Sequence, residues 1–523
     1  MFDPLAIAVA LACGMVARAV GLPALIGYLG AGFAPYEFGA SSGPLLEEIA
    51  EIGVTLLLFS IGLKLKPAEL LEVKVWGTTS VHMVLTIAVL TPFLIFATRF
   101  LPGVTLDFDD ALLLGFALSF SSTVFAIQVL QERGEMASRH ATLSIGILLI
   151  QDIAAVIFIA ASTGKVPEWT ALFLLLLIPL RPLIFRLLSL AGHDELFTLF
   201  GLMLAIGGAQ LFELVSIKGD LGALILGALL AGDRKAKELA KNLLHFKDLF
   251  LVGFFVSIGL GGWPSQELVA VVILAGLLAP LKAPLYFWLM TRFHTPPRTA
   301  LLSSAGLSNY SEFGLIVVAL AAKEGMLDAQ WLAAVSLAIA MSFLFSSAAN
   351  LRIHEFYYRN YERLRSFQSR KLHRKQPDTS GVHYIVLGMG NIGAGSYRAM
   401  WEQHGREVLG VDDNDQKLAV LERNGYRLAA ADASDPAFWL GIDLSKVRHV
   451  MLALTNHEEN KIVGKLLRDM DYQGLITAII RFEEESKELA RYGISSFNLF
   501  QEAGAGFAAH ADHLEASQNS KAP

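Results

Sequence analysis

The sequence predicts a polytopic α-helical membrane protein with inverted repeats and two broken helices, followed by a C-terminal α/β domain. Three observations predict this fold. Apolar stretches follow one another through residues 1–350, a short motif recurs within them, and a glycine-rich turn lies near residue 390. The 523 residues are 54% hydrophobic and have a mean hydropathy of +0.51, which is too apolar for an ordinary soluble protein.

The apolar stretches have the length that crosses a bilayer, about 17–25 residues. About 13 transmembrane helices are predicted, near residues 4–20, 22–35, 45–65, 76–100, 111–130, 139–163, 168–190, 195–215, 218–232, 246–262, 268–292, 299–322 and 329–350. Residues 1–350 are therefore assigned to a transmembrane domain. The N-terminus has no basic segment or cleavage site, so we expect no removed signal peptide. The single cysteine, Cys13, excludes an internal disulfide.

The orientation follows from the basic residues between these stretches. If the N-terminus lies outside, the inner loops carry fifteen Lys or Arg residues and the outer loops carry four. The four outer residues are Arg99, Lys165, Lys218 and Lys323. The bias predicts an outer N-terminus and a cytoplasmic C-terminal domain.

A short motif recurs in the two halves of the transmembrane domain. Residues 60–63 and 257–260 both read Ser-Ile-Gly-Leu, with a proline at the same spacing after each. A second pair follows in the same order, LSFSSTVF at 118–125 and GLSNYSEF at 306–313. The first pair falls on the third and tenth predicted helices, which run in opposite directions. The repeat is therefore inverted, as in many secondary transporters.

The second pair of repeats is rich in polar side chains at mid-span. The polar residues are Ser119, Ser121, Ser122 and Thr123 in one copy, and Ser308, Asn309, Tyr310 and Ser311 in the other. Such groups can satisfy a backbone that unwinds within a membrane. We predict one broken helix per repeat, with the helix ends near a midplane ion site. The alternative is a helix-packing seam of small residues.

Asp152 lies within the apolar run 145–161, where a charge costs about 2.5–3.5 kcal/mol on insertion scales. Such residues usually face a wet cavity and bind ions or protons. A carboxylate holds a proton or a metal cation but not both, so Asp152 can couple two opposed fluxes. Gln151 supplies an amide at the same depth. The second half has no matching acid, which predicts electroneutral one-for-one exchange; the alternative is a structural carboxylate neutralised by a neighbour.

Two further charged residues lie at membrane depth. Lys282 lies between two prolines and is expected either to pair with Asp152 until a cation binds, or to act as a fixed counter-charge or reach an interface. Glu312 follows the second polar cluster and either contributes to the ion path or stabilises crossing helix ends. Ser308 and Asn309 are candidate partners at the same site.

Residues 351–380 are predicted to form a basic linker, since they contain eight Lys or Arg residues and three acidic residues. The linker either lies near anionic lipid or is a solvated tether. Residues 381–503 are predicted to be a Rossmann-like domain. Gly388, Gly390 and Gly393 form G-x-G-x-x-G between a strand and a helix, and Asp412 ends the next strand. Further strands are predicted at 427–431, 447–454 and 476–481, and residues 504–523 are expected to be a flexible tail.

No catalytic His–Asp arrangement or second catalytic domain is visible in the sequence. We therefore expect no enzymatic activity and interpret the nucleotide as a regulatory ligand.

The chain to about residue 500 resembles the Kef-type potassium efflux systems of the monovalent cation:proton antiporter-2 family. The matching stretches are GLPALIGYLGAG (21–32), EIGVTLLLFSIGLKL (51–65), LSFSSTVFAIQVLQERG (118–134), QDIAAV (151–156), GALILGALLAGD (222–233), FFVSIGL (254–260) and LSNYSEFGLIV (307–317). The resemblance implies K⁺/H⁺ exchange across a bacterial inner membrane by an elevator-like movement. It places the essential acid at Asp152, the first broken helix at Ser121–Thr123 and the buried lysine at Lys282. The Gln151–Asp152 pair is similar to the variant of the family's motif that is associated with potassium, so the resemblance implies K⁺ as the cation.

The C-terminal part resembles the KTN or RCK regulatory domain, which implies a homodimer that binds AMP, ATP or NAD(H). The nucleotide-binding residues implied are Gly388, Gly390, Asn391, Ile392, Gly393, Asp412, Asp413, Asp432 and Arg481. Membrane lipid is a further expected partner, nucleic acid is not, and an ancillary subunit is not indicated. Glutathione-gated members carry an acidic inner loop, whereas DRKAKELAKNLLHFKD (233–248) is basic, so no glutathione site is assigned.

Three other functions compete with this interpretation. The first is Na⁺/H⁺ exchange on the same fold. The second is a nucleotide-gated K⁺ channel, although the sequence has no TVGYG-type filter. The third is a membrane-bound nicotinamide oxidoreductase, for which the second catalytic domain is missing.

Overall fold

The computed structural model describes residues 4–519, with gaps at 20–23, 37–43, 65–71, 101–105, 134, 137, 163–168, 193–194, 216–218, 261, 369–378, 414–417, 419–420, 423–424 and 455–456. The chain divides into two compact units. One comprises Met1–Leu130 and His140–Ser369, and the other comprises Gln131–Arg139 and Arg370–Pro523.

The described part of the first unit is helical. Its first half contains α1 (Pro4–Ala19), α2 (Ala24–Tyr36), α3 (Pro44–Lys64), α4 (Val73–Thr98), α5 (Phe108–Ser119), α6 (Thr123–Glu132), α7 (Arg139–Ser162), a 3₁₀ segment (Trp169–Leu176) and α8 (Leu177–Leu190). Helix α7 begins one residue before the first unit resumes.

The second half of this unit continues with α9 (Glu195–Glu213), α10 (Gly219–Leu230), α11 (Arg234–Gly259), α12 (Gln266–Leu278), a 3₁₀ turn (Ala279–Leu281), α13 (Lys282–Arg292), α14 (Pro297–Gly306), α15 (Glu312–Lys323) and α16 (Gln330–Leu351). Two short helices follow, α17 (Ile353–Arg359) and α18 (Tyr361–Arg365), within the predicted basic linker. Residues 234–248, which were predicted to be part of an inner loop, belong instead to helix α11. The helix begins at Arg234 because the side chain of Asp233 accepts a hydrogen bond from the N–H of Lys235 and so caps the first turn.

Helices of this unit expose apolar side chains. On α4, Val84 and Val89 are 64% and 63% exposed. Five stretches in the described part are long and apolar enough to cross a membrane, namely Val73–Thr98, Phe108–Gln131, Glu195–Glu213, Gln266–Arg292 and Gln330–Leu351. Apolar surface of this kind is stable against lipid and unfavourable in water.

The repeated Ser-Ile-Gly-Leu motif makes equivalent contacts in both copies. A Cβ added at Gly62 of α3 would overlap the carbonyl oxygen of Leu224 in α10. One added at Gly259 of α11 would overlap the carbonyl oxygen of Leu29 in α2. In each copy the glycine therefore lets two helix backbones pack closely, as small residues do between membrane helices.

The second unit contains a six-stranded parallel sheet with the strand order β3-β2-β1-β4-β5-β6. The strands are β1 (Tyr384–Leu387), β2 (Val408–Asp412), β3 (Leu428–Ala430), β4 (His449–Leu452), β5 (Leu475–Ile480) and β6 (Ser495–Asn498). The helices are α19 (Asn391–His404), α20 (Pro436–Trp439), α21 (His457–Asp469), α22 (Glu483–Ala490) and α23 (Leu499–Asn519).

This order defines a doubly wound Rossmann-like fold, in which ligands bind at the carboxyl ends of the strands where the strand order reverses. Strand β6 was not among the predicted strands, because its residues are largely exposed and give no apolar pattern. Helix α23 covers residues 504–519 of the segment predicted to be a flexible tail.

Candidate functional site

Two helix interruptions lie at the polar clusters of the second repeat pair. Helix α5 ends at Ser119, Phe120 is extended (φ −69°, ψ 152°), and α6 begins at Thr123. Helix α14 ends at Gly306, Ser311 is extended (φ −109°, ψ 147°), and α15 begins at Glu312. Both interruptions are buried. Their backbone groups therefore need partners inside the protein.

The two interruptions supply those partners to each other. The backbone N–H of Ser122 donates to Asn309 Oδ1 at 2.7 Å, and Ser121 Oγ donates to the carbonyl oxygen of Leu307 at 2.7 Å. Asn309 Nδ2 in turn donates to Gly306 O at 2.9 Å, at the end of α14. These contacts join segments that are almost 190 residues apart in sequence.

Glu312 lies where two helices begin. Ser122 Oγ accepts from the N–H of Phe125, which caps α6, and donates to Glu312 Oε2 at 2.7 Å. Glu312 is itself the first residue of α15 and is 1% exposed. Helix N-termini carry partial positive charge, so the carboxylate has a favourable environment there. Its other oxygen, Oε1, has no hydrogen-bond partner in the described part of the chain.

Lys282 lies where the interrupted backbone exposes carbonyl groups. Its ammonium donates to the carbonyl oxygens of Ser119 (3.1 Å), Phe120 (2.7 Å) and Asn309 (2.7 Å). These three bonds use all three donors of an ammonium group. The positive charge therefore lies at the C-terminal, partially negative end of α5.

Asp152 and Gln151 lie in the middle of α7, beside the first interruption. Asp152 is 1% exposed, and Thr123 Oγ1 donates to its Oδ2 at 3.3 Å. Gln151 is fully buried, and its Oε1 accepts from the N–H of Ser121 at 2.9 Å. The structure thus brings Asp152, Gln151 and the start of α6 together. Ser308, by contrast, donates to Ala279 O at 3.1 Å, on the side of the 3₁₀ turn before Lys282.

Two residues at this site escaped the sequence analysis. The hydroxyl of Tyr286 lies 2.9 Å from Gln151 Nε2 and 3.2 Å from Ser121 Oγ. The ring of His82 stacks on the ring of Tyr286, with centroids 3.5 Å apart and planes 6° from parallel. A histidine inside the apolar run 76–100 was a signal that could have identified this pair.

The three glycines of the G-x-G-x-x-G turn each occupy a distinct environment. Gly388 has φ +86°, a conformation that glycine adopts readily. A Cβ at Gly393 would overlap the carbonyl oxygen of Gly388, so α19 packs against the turn only with glycine there. A Cβ at Gly390 would meet nothing within 4 Å. Gly390 therefore leaves open space at the N-terminus of α19, where a phosphate group can approach the backbone.

The predicted nucleotide-binding residues lie mostly at the carboxyl edge of the sheet. Asp412 ends β2, and its Oδ2 accepts from the N–H of Met389 at 2.7 Å. Asp413 follows it and lies 3.4 Å from Arg139 Nε, within the same unit. Asp432 follows β3 and accepts from the N–H of Ser434 through Oδ1.

The remaining predicted residues frame this edge. Asn391 and Ile392 are exposed at the start of α19. Arg481 is exposed after β5, and β4 separates that strand from β1. Its backbone N–H donates to Glu485 Oε2 at 2.8 Å. Arg481 and Asp432 thus follow strands that lie two positions from β1, on opposite sides of the glycine turn.

The paired helix interruptions around a buried carboxylate, joined to a Rossmann-like domain, define a class of ion-transporting membrane protein. Residues 7–350 match the family described as sodium/hydrogen exchanger, transmembrane, and residues 384–497 match the TrkA-N domain. The chain belongs to the sodium/hydrogen exchanger family and is a multi-pass membrane protein. Its C-terminal unit is a TrkA-N domain.

Among curated proteins the chain is similar to Kef-type systems. It is 29% identical over 448 residues to the glutathione-regulated potassium-efflux system protein KefC of Enterobacter sp. (strain 638), covering 80% of this chain and 69% of that protein. It is 26% identical over 509 residues to KefC of Cronobacter sakazakii (strain ATCC BAA-894), covering 92% of this chain and 79% of that protein.

Among solved structures, the sodium proton antiporter MjNhaP1 from Methanocaldococcus jannaschii aligns with a TM-score of 0.46 at 14% identity. The alignment covers 69% of this chain and 97% of that chain.

Proposed function

We propose that this protein is an antiporter that exchanges K⁺ for H⁺ across the inner membrane, regulated by a nucleotide on its C-terminal domain. The observation that carries the proposal is Asp152, a carboxylate that is 1% exposed in α7 beside two crossing helix interruptions. A buried carboxylate of this kind in a membrane segment is typical of ion and proton carriers.

The chemistry of exchange follows from single occupancy. When Asp152 holds a proton or a monovalent cation, the charge at the site is neutralised and the site can cross the membrane barrier. When it is empty, the uncompensated charge makes that movement costly. One carboxylate therefore exchanges one proton for one monovalent cation, and the exchange is electroneutral.

The other two buried charges have partners that suit fixed roles. Lys282 donates its three protons to backbone carbonyl oxygens, and Glu312 accepts from Ser122 at the start of α6. Lys282 offsets the partial negative charge at the C-terminal end of α5, and Glu312 offsets the partial positive charge at the N-termini of α6 and α15. In this proposal Lys282 and Glu312 stabilise the two linked interruptions, and Asp152 binds the exchanged ion. The helices that contain the two interruptions would then make an elevator-like movement against the dimerising part of a homodimer. This movement would expose Asp152 to one side of the membrane and then to the other.

Potassium is the proposed cation because two curated relatives that align with 80% and 92% of this chain are named as potassium-efflux proteins. The Gln151–Asp152 pair supports the same choice through the family resemblance. Na⁺ is the alternative cation on the same fold, since the matched family is described as a sodium/hydrogen exchanger.

An adenine nucleotide, AMP, ATP or NAD(H), is the proposed regulatory ligand. The TrkA-N match, the open space at Gly390 and the placement of Asp412 support it. The site lies at the reversal of strand order in the sheet, which is where such folds bind nucleotides. The distribution of basic residues supports an outer N-terminus and a cytoplasmic nucleotide domain.

The test is the dissipation of a pH gradient in proteoliposomes after addition of K⁺, Na⁺ or Li⁺ in turn. We expect K⁺ to dissipate the gradient in the parent protein and not in Asp152→Asn. Asp109→Asn is the matched control, because it makes the same change at the exposed first turn of α5. A parent protein that ignores K⁺, or full exchange by Asp152→Asn, would overturn the proposal.

A further inference from the structure

The amide of Gln151 is held in one orientation by three protein groups. Its Oε1 accepts from the N–H of Ser121 at 2.9 Å, and its Nε2 donates to the Tyr286 hydroxyl at 2.9 Å and to Ser119 O at 3.4 Å. A backbone N–H requires an acceptor, so the amide oxygen must face Ser121. Gln151 therefore braces the first helix interruption through both ends of its amide.

The Tyr286 hydroxyl is the group that holds the amide nitrogen. Ser121 Oγ donates its only proton to Leu307 O at 2.7 Å. The contact of 3.2 Å between Ser121 Oγ and the Tyr286 hydroxyl must then use the tyrosine proton. The tyrosine oxygen is left to accept from Gln151. The hydroxyl thus joins Gln151 on α7 to Ser121 in the interruption.

His82 holds the Tyr286 ring in place from α4. Its ring lies parallel to the tyrosine ring at a centroid distance of 3.5 Å, and both residues are fully buried. Thr86, one turn along α4, lies 3.5 Å from His82 Nε2. His82 contacts the ring face, and the hydroxyl points at the site, so the pair acts on Gln151 through geometry.

We propose that Tyr286, supported by His82, is a positioning residue that sets the cation preference of the Asp152 site. The inference rests on the proposed exchange activity. Without the hydroxyl, Gln151 Nε2 keeps only the weaker contact with Ser119 O, and the segment between α5 and α6 loosens next to Thr123 and Asp152. Discrimination between K⁺ and Na⁺ depends on how the site's oxygens are held, so a looser segment discriminates less.

The first test compares transport by Tyr286→Phe and the parent in proteoliposomes with K⁺, Na⁺ and Li⁺. We expect the ratio of apparent affinities for K⁺ and Na⁺ to change by roughly three- to tenfold, the effect of one hydrogen bond on an equilibrium. The maximal rate should stay within about twofold, because Asp152 is untouched. Ser336→Ala is the control, since it removes a buried hydroxyl that donates to Ala333 O within the same helix, α16. An unchanged ratio in Tyr286→Phe would overturn the proposal.

A pair of variants at His82 tests the same idea without altering the hydroxyl. His82→Phe keeps a flat ring against Tyr286, and His82→Ala removes it. We expect the ratio to be retained in His82→Phe and changed in His82→Ala in the same direction as in Tyr286→Phe. Equal behaviour of the two variants contradicts the positioning role, and this pair decides the matter if Tyr286→Phe does not fold.

A stability measurement separates this inference from the proposed function. The apparent melting temperatures of Tyr286→Phe, Gln151→Leu and the double variant form a cycle that needs no transport. We expect the decrease in the double variant to be smaller than the sum of the two single decreases, because both single changes remove the bond between Gln151 Nε2 and the Tyr286 hydroxyl. Additive decreases overturn the inference even if the parent exchanges K⁺. A coupled cycle in a parent that prefers Na⁺ refutes the potassium proposal and leaves this one standing.

Discussion

The side-chain oxygen of Asn309 accepts a hydrogen bond of 2.7 Å from the backbone N–H of Ser122, which links the two helix interruptions directly. Each interruption leaves backbone groups without hydrogen-bond partners in a helix. Some of the missing partners are supplied by the other interruption. An unsatisfied buried N–H costs about 1–3 kcal/mol. The two interruptions therefore stabilise one another, and neither is expected to form alone.

Lys282→Met should lower the melting temperature substantially, because three carbonyl oxygens lose a charged donor. Hydrogen bonds to charged groups contribute about 1.5–3 kcal/mol each. Since Lys282 donates to carbonyl oxygens, Asp152→Asn should not restore the stability of Lys282→Met. Thermal unfolding of the two single variants and the double variant measures this, and a rescue by Asp152→Asn would instead support an ion pair between these residues.

The glycine turn of the C-terminal unit permits a three-way comparison. Gly390→Ala should weaken nucleotide binding at least tenfold while leaving the melting temperature unchanged, since the added methyl group enters only the open space left for a ligand. Gly393→Ala should destabilise the unit, because the methyl group overlaps Gly388 O. Calorimetric titration with AMP and NADH, with thermal unfolding, distinguishes these effects.

Gly395→Ala is the control for both changes. Gly395 lies in the same helix and has nothing within 4 Å of an added Cβ. It should keep both binding and stability. If Gly390→Ala binds both nucleotides as the parent does, the phosphate does not approach the backbone at this turn.

Asp412→Ala should weaken binding of the adenine ligand, because a carboxylate at the end of the second strand binds the ribose hydroxyls in such folds. Exchange catalysed by Asp152 in the absence of nucleotide should persist. Asp443→Ala is the control. Asp443 is exposed and precedes β4, so it lies toward the amino ends of the strands, away from the carboxyl ends where Asp412 lies. Parent-like binding of AMP and NADH by Asp412→Ala would show that the ribose assignment is wrong.

The C-terminal unit should lose stability as the pH falls below about 6.5. Burial lowers the pKa of His449 below its ordinary value of 6.5, so the folded state favours the neutral ring. The unfolded chain then binds the proton more readily, and stability rises with pH through this window. Hydrogen exchange in β4, corrected for its intrinsic pH dependence, should show less protection at pH values near 5.5 than near 7.5.

His449→Gln should remove most of this pH dependence, since glutamine does not titrate. Thr477→Val removes the hydroxyl that lies 2.8 Å from His449 Nε2 but keeps the histidine, so its pH dependence should remain. Identical pH profiles for the parent and His449→Gln would assign the effect to another group.

Much of the fold was predictable from local pattern. The strand–turn–helix around Gly388 and the strand that ends at Asp412 were read correctly, because each depends on neighbours in sequence. Strand β6 and helix α23 were missed, because exposed residues carry no apolar periodicity. The helix from Arg234 was expected to begin later, since its first turns are basic and resemble a loop in composition.

The sequence by itself determined which residues could carry chemistry: a carboxylate at Asp152 in an apolar run, two polar clusters, and the glycines of the C-terminal unit. Only the tertiary structure decided which of these groups are partners. Lys282 donates to the backbone around Phe120, and Gln151 is held by Tyr286, whose role no local pattern revealed. The reason is physical. Apolar periodicity and glycine turns reflect local backbone preferences, whereas a buried polar group must find its partners among residues that the fold brings from far along the chain.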